Sequence, residues 1–107
     1  MKGPFTLSTE QVDHQIPVGQ LGVYVTGYFS LHFIVDRWGR SDTDLRHAVH
    51  ARIGDAPMFK FKICANADEA FDEECLLFHE HHKETDTRHH HPTKPEGSQR
   101  PCSKCGA

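Results

Sequence analysis

The chain of 107 residues contains no long hydrophobic segment. No apolar run approaches the roughly 20 residues that a membrane-spanning helix requires, so we expect no membrane partner. The opening residues 1–5 also lack the apolar core that a secretory signal needs. The sequence therefore predicts a cytoplasmic protein.

A strong charge of either sign is also missing. Lys and Arg number 12 and Asp and Glu number 15, which gives a formal net charge of -3. No global positive field then draws the protein to nucleic acid, although a local basic patch can still bind it. Composition alone thus leaves both nucleic-acid and protein partners open.

Cysteine is scarce, with four residues in the chain. In a cytoplasmic protein, cysteines are more often metal ligands than disulfide partners. A domain of this size buries only about two thirds of the surface that its unfolded chain exposes, so a metal ion would add useful stability. The spacing of the four cysteines therefore bears on whether the chain binds a metal.

Alternating apolar residues predict a small sheet. Residues 21–39 predict a hairpin with a break near residues 27–30, and residues 58–64 predict a third strand. The side chains expected to face inward are Leu31, Phe33, Val35, Phe59, Phe61 and Ile63.

Capping residues predict two helices. Ser41 with Asp44 three residues later indicates the start of the first helix, and Gly54 indicates its end. Asn66 with Glu69 indicates the start of the second helix, which runs to about residue 82. The inward face of the first helix consists of Leu45, Ala48, Val49, Arg52 and Ile53.

These elements predict one folded domain over residues 17–82. Residues 1–16 are expected to form an extended lead-in, and residues 83–107 an irregular tail rich in Pro, Gly, His and charge. The order of elements favours an α/β (α+β) fold with a small three-stranded, mainly antiparallel sheet flanked by helices. The tail would have no fixed conformation unless a metal ion held it against the domain.

Cys102 and Cys105 have the spacing of half a zinc knuckle. A complete site needs two further ligands, and its closed tetrahedral geometry would make it structural rather than catalytic. Such a site would fix the tail onto the domain. The alternative is a cysteine pair that is free or linked by a disulfide.

The second helix offers the other two zinc ligands. Cys75 and His79 are four residues apart and so face the same way on a helix. His82 lies on nearly the same edge, and His91 is a second rival for the place of His79. The predicted structural Zn²⁺ site therefore consists of Cys75, His79, Cys102 and Cys105.

Glu74 falls near the middle of the apolar stripe of the second helix. A carboxylate there must find a partner or raise its pKa, because burying a bare charge is costly. Buried acids are often metal ligands or catalytic groups. The alternative is an acid that is satisfied by an arginine or a backbone amide.

Three stretches, in order, resemble the GIY-YIG nuclease superfamily. Gly22-Val23-Tyr24 stands at the Gly-Ile-Tyr position, residues 38–45 are similar to the strand end and helix start of the second motif, and residues 69–75 are similar to the helix with the catalytic Glu. A subgroup with Gly-Arg-Ser-Asp, Phe-Lys-Phe, Glu-Cys-x-Leu-x-His, His-Pro and a terminal Cys-x-x-Cys is the nearest in pattern. The resemblance covers roughly residues 17–105.

The resemblance implies an endonuclease that hydrolyses nucleic-acid phosphodiesters with Mg²⁺ or Mn²⁺, with DNA favoured over RNA. Tyr24 would lie next to the attacking water and Glu74 would hold the catalytic ion. Hard oxygen ligands suit such ions, and a cation must balance the charge that develops on the phosphate. Arg40, at the predicted helix start, could pair with phosphate or with Glu74.

Three positions depart from the family's pattern. Arg37 stands where the family has its second tyrosine, Ala48 where the first helix carries an arginine, and Arg88 where a late asparagine is expected. Arg52 lies one turn beyond Ala48 on the same helix face, and helical side chains lean toward the N-terminus. Arg52 could therefore supply the missing guanidinium; the alternative is a surface arginine that covers the edge of the core with its stem.

Three functions follow as hypotheses. The first is an active metal-dependent endonuclease that uses Tyr24, Arg40, Arg52 and Glu74. The second is a catalytically inactive, zinc-stapled nucleic-acid-binding domain on the same fold. The third is a protein-interaction adaptor.

Overall fold

The computed structural model describes residues 1–81, 91–98 and 101–102. Within these residues the protein is an α+β fold with a four-stranded antiparallel sheet and three helices. The strands are β1 (Lys2–Thr6), β2 (Gly22–Phe29), β3 (Phe33–Ser41) and β4 (Met58–Ile63), and the helices are α1 (Thr9–Gln15), α2 (Leu45–His50) and α3 (Ala67–His81). A search of the described residues finds no helix with the length and apolar character to cross a membrane.

The strand order is β1-β4-β2-β3, so the prediction of three strands is wrong. The additional strand is β1, which pairs antiparallel with β4 and places Phe5 opposite Phe59. Pro4 interrupts the apolar pattern of β1, and proline is tolerated there because the strand lies at an edge of the sheet.

The expected lead-in also contains a helix, α1. Ser8 caps it by accepting a hydrogen bond from the backbone amide of Gln11 at 3.3 Å. Val12 and Ile16 on its inner face are fully buried. Residues 1–16 therefore supply both a strand and a packed helix to the same core.

Helices cover both faces of the sheet. Because side chains of β2 alternate, Tyr24 faces one core and Val23 and Val25 face the other. The core on the side of α1 and α2 contains Leu7, Val12, Ile16, Tyr24, Leu45, Val49, Phe59 and Phe61. The core under α3 contains Val23, Val25, Trp38, Cys64, Ala70 and Leu77.

The β2–β3 hairpin is confirmed, with two changes in detail. The predicted break at residues 27–30 is a bulge after Thr26, and β2 continues to Phe29. Leu31, expected to face inward, is 99% exposed because it lies in the turn that the Ser30 amide closes on the His32 carbonyl.

The two predicted helices are present with shifted ends. In α3, the side chain of Asn66 accepts from the amide of Glu69 at 2.9 Å, as its capping role requires. In α2, Asp44 is the N-cap, whereas the Ser41 hydroxyl accepts from the amide of Asp44 at 2.9 Å. The regular helix α2 ends at His50, so Arg52 lies in the turn that follows.

Candidate functional site at the edge of β3

Tyr24 and Gly39 are directly opposed partners on β2 and β3. A Cβ added at Gly39 would lie 2.5 Å from the Tyr24 hydroxyl oxygen and 2.6 Å from the ring carbon that bears it. The phenol therefore lies across the bare backbone of Gly39, and β3 is an edge strand of the sheet. Only glycine leaves room for the hydroxyl at this place.

The Tyr24 side chain is 6% exposed, and burial raises the pKa of its phenol above the ordinary value. The positive charges of Arg52 and Arg37 act in the opposite direction and lower this pKa. Because burial is the larger effect, the phenol remains protonated at neutral pH.

Glu74 forms an ion pair with Arg40, with 3.1 Å between Oε1 and Nη1. Burial raises the pKa of the Glu74 carboxyl, and the negative charge of Asp42 adds to this, whereas Arg40 and His91 oppose it. The side chain keeps 18% exposure, so the carboxylate is neither sealed in the core nor free in solvent.

Arg40 joins three parts of the molecule. Besides Glu74 on α3, its Nε lies 2.9 Å from Asp42 Oδ1, and its Nη2 donates to the carbonyl of Thr93 in the tail at 2.6 Å. Hydrogen bonds from Nη2 to Asp42 and to the Thr93 carbonyl hold the guanidinium, and its contact with Glu74 is an ion pair. The arrangement predicted for Arg40 with Glu74 is therefore present.

The four predicted side chains lie around one strand. Tyr24 and Arg52 lie on the side of α2, whereas Arg40 and Glu74 lie on the side of α3. Gly39 separates the two pairs without a side chain of its own, and the charge of Glu74 acts on the Tyr24 phenol. The geometry brings a phenol, two guanidiniums and a carboxylate to the same edge.

A second group of ligand atoms lies next to Glu74 on α3. One donor atom from each of Cys75, His91 and Cys102 lies within 4.8 Å of the other two, so these residues could hold a metal ion such as zinc. Both thiols are buried, and burial together with a hydrogen bond to Cys102 raises the pKa of Cys75 to about 12. Within the described residues, these cysteines form no disulfide.

His91, a rival in the sequence prediction, occupies this group and His79 does not. The two rings are neighbours with centroids 5.5 Å apart, so His79 borders the group. His91 Nδ1 lies 3.0 Å from the Pro92 carbonyl oxygen. Cys105, His82 and Arg88 lie outside the described residues.

Three features next to the candidate site were absent from the sequence prediction. Asp42 orients Arg40, Arg37 approaches Tyr24, and Asp55 forms ion pairs next to them. The alternation of β3 could have placed residues 37 and 39 on one face, since they are two apart. No sequence signal identifies Asp55, which follows α2 in an irregular turn.

Comparisons with known proteins find no match: no protein-family model, curated protein or solved structure is similar to the chain. The relationship to the GIY-YIG superfamily therefore stays a prediction from the motifs around Tyr24, Arg40 and Glu74. Function has to be argued from the geometry of the site itself.

Proposed function

We propose that the chain is a metal-dependent endonuclease that hydrolyses nucleic-acid phosphodiesters, with DNA as the first substrate to test. The observation that carries the proposal is the placement of the Tyr24 hydroxyl over the bare backbone of Gly39 on the edge strand, with the Arg40–Glu74 ion pair on the other side of that strand. Phosphodiester hydrolysis needs a nucleophile-orienting group, a cation for the phosphate and a hard metal ligand. Tyr24, Arg52 and Glu74 supply one each.

Each side chain has a definite task in this proposal. Glu74 offers a carboxylate oxygen to Mg²⁺ or Mn²⁺, and such an ion lowers the pKa of bound water and balances phosphate charge. The protonated Tyr24 hydroxyl orients the attacking water by hydrogen bonding, and Arg52 contacts a non-bridging phosphate oxygen. Water would then form the new P–O bond as the bond to the leaving oxygen breaks, with the proton of the attacking water passing to solvent and the leaving oxygen taking a proton from solvent.

Arg40 is a positioning residue in this scheme. Its guanidinium pairs with the carboxylates of Glu74 and Asp42 and donates to the Thr93 carbonyl, so it holds the Glu74 carboxylate in place rather than contacting phosphate. Burial raises the pKa of the Glu74 carboxyl, and the positive charge of Arg40 opposes that rise and so favours the ionised carboxylate that a metal ion needs.

The test is cleavage of plasmid and short duplex DNA with Mg²⁺ or Mn²⁺. We expect Glu74→Ala to abolish cleavage and Tyr24→Phe to reduce it by about 100-fold, as loss of one positioned polar group does. Glu80→Ala is the matched control, because Glu80 lies on the same helix with a side chain 69% exposed. Wild-type protein without cleavage, or Glu74→Ala with full cleavage, would refute the proposal.

A non-catalytic nucleic-acid-binding domain is the second candidate. The Arg40–Glu74 ion pair favours it, because the pair satisfies the carboxylate without any metal ion. Salt-dependent binding without cleavage would support this candidate, since phosphate contacts release counterions. A protein that neither binds nor cleaves would leave the adaptor hypothesis.

We also infer that Cys75, His91 and Cys102 hold a structural Zn²⁺ with Cys105 as the fourth ligand. Two thiolates, an imidazole and a third thiolate form a closed tetrahedral set. The support is the close approach of the three donor atoms from α3 and the tail. We expect about one zinc per chain by elemental analysis.

The zinc should be lost in Cys102→Ser and retained in Cys64→Ala. Cys64 is the matched control because it is also a buried thiol but belongs to the separate core under α3. Zinc retained in Cys102→Ser would contradict the assignment.

A further inference from the structure

Two guanidiniums share one carboxylate on the α2 side of the edge strand. Asp55 Oδ2 lies 3.8 Å from Arg37 Nη1 and 3.4 Å from Arg52 Nη1. The Asp55 side chain is 45% exposed and the two arginine side chains are 26% and 30% exposed. The group is therefore open to solvent and to a ligand of substrate size.

The position of this group follows from the strand register. Arg37 and Gly39 are two residues apart on β3, so Arg37 lies on the same face as Gly39 and its partner Tyr24. Arg52 reaches the same Asp55 carboxylate as Arg37 from the turn after α2. The two arginine side chains thus flank the phenol that the proposed function places next to the attacking water.

A carboxylate that lies between two guanidiniums accepts from them the same contacts that the oxygens of a phosphate group would accept. Arginine forks bind carboxylate and phosphate with similar geometry, and the choice between them depends on which anion is present. Asp55 belongs to the turn that its backbone amide closes on the Arg52 carbonyl at 2.9 Å. The carboxylate is thus tethered next to both cations.

We propose that Arg37 and Arg52 form a phosphate-binding site for the nucleic-acid backbone, and that the Asp55 carboxylate fills its anion position when substrate is absent. The nucleic acid as the source of the phosphate rests on the proposed function, but anion binding by the two arginines does not. Arg37 thereby acquires a role at the position where the resembling family has a second tyrosine. Asp55 competes with the substrate and limits its affinity.

The test is binding of a short DNA duplex in EDTA, where no cleavage occurs. We expect Asp55→Asn to bind about 3- to 10-fold more tightly than wild type, because a competing charge is removed from both cations. Arg37→Gln should bind more weakly, and the negative slope of its log affinity against log salt should become shallower by about 0.9, the value for one phosphate contact.

The chain contains a matched control pair. Arg46 and Asp13 are also 3.8 Å apart, and their side chains are 27% and 47% exposed, but they join α1 to α2. Asp13→Asn changes the net charge as Asp55→Asn does, and it should leave DNA affinity unchanged. Equal gains in both variants would show a general charge effect and would overturn the proposal.

Inorganic phosphate gives a second measurement that needs no nucleic acid. Its ³¹P signal should broaden on addition of wild-type protein and broaden less with Arg37→Gln. A wild-type protein that binds neither the duplex nor phosphate overturns the site. Binding that depends on Arg37, without cleavage in Mg²⁺ or Mn²⁺, would reject the endonuclease and retain the phosphate site.

Discussion

Replacement of Gly39 by alanine tests the contact on which the site is built. The backbone of Gly39 is not in the left-handed region, so alanine is compatible with its conformation. The new Cβ would lie 2.5 Å from the Tyr24 hydroxyl oxygen, whereas ordinary contact begins at 3.4 Å. The difference is 0.9 Å, so the ring must move by about 1 Å.

Two consequences of that movement can be measured. Overpacking of this kind costs about 1–3 kcal/mol of unfolding free energy, which denaturant titration detects. A displacement of about 1 Å in a reacting group lowers cleavage by about 100-fold. Both effects are expected in Gly39→Ala.

A double-mutant cycle assigns the effect to the ring. Tyr24→Phe keeps the ring carbons that lie 2.6 and 2.7 Å from the added Cβ. Gly39→Ala should therefore lower the unfolding free energy by as much in the Tyr24→Phe background as in wild type. Tyr24→Val removes the ring, and there Gly39→Ala should cost nearly nothing, a coupling of about 1–3 kcal/mol. Equal cost in all three backgrounds would refute the contact.

Three further predictions concern stability and reactivity. Phe61→Ala should lose about 3–5 kcal/mol in denaturant titration, because Phe61 is 1% exposed in the core under α1 and α2. Arg46→Ala should lose about 2 kcal/mol in the same assay, because its guanidinium donates to the carbonyls of Ile16 at 2.6 Å and Asp13 at 3.0 Å. Burial raises the pKa of Cys64 to about 11, so the thiol stays protonated below that pH, and native Cys64 should resist iodoacetamide at pH 8 when modification is mapped by mass spectrometry. Unchanged denaturation midpoints would refute the two stability predictions. Alkylation of Cys64 as fast as in unfolded protein would refute the third.

Features fixed by neighbouring residues were predictable from the sequence. The start of α3 depends on the hydrogen bond between Asn66 and Glu69, which are three residues apart. The inward side of β4 depends on alternation, and Phe59 and Phe61 are both buried as predicted. Such patterns need no knowledge of distant partners.

Features fixed by distant contacts were not predictable in the same way. The strand β1 is defined by pairing with β4, about 55 residues later in the chain, and Pro4 masks its alternation. The helix α1 is too short for apolar periodicity, and only Ser8 with Gln11 three residues later signals its start.

In the candidate site, too, some features follow from neighbouring residues and others from distant contacts. Helical spacing predicted Cys75 and His79 as a ligand pair, but His91 occupies the group because the tail returns along α3. The Arg40–Glu74 pair was foreseen, whereas Asp42 and Asp55 were not, since their roles arise from how loops meet the strand edge. Loop conformation leaves little trace in local sequence.

The location of Mn²⁺ in crystals grown with a short DNA duplex tests the central claim most directly. Anomalous scattering should place an ion on the Glu74 carboxylate, with the Tyr24 hydroxyl and Arg52 facing the same phosphate. An ion bound only by Cys75, His91 and Cys102, with Glu74 still paired to Arg40 and no ion on its carboxylate, would contradict the endonuclease.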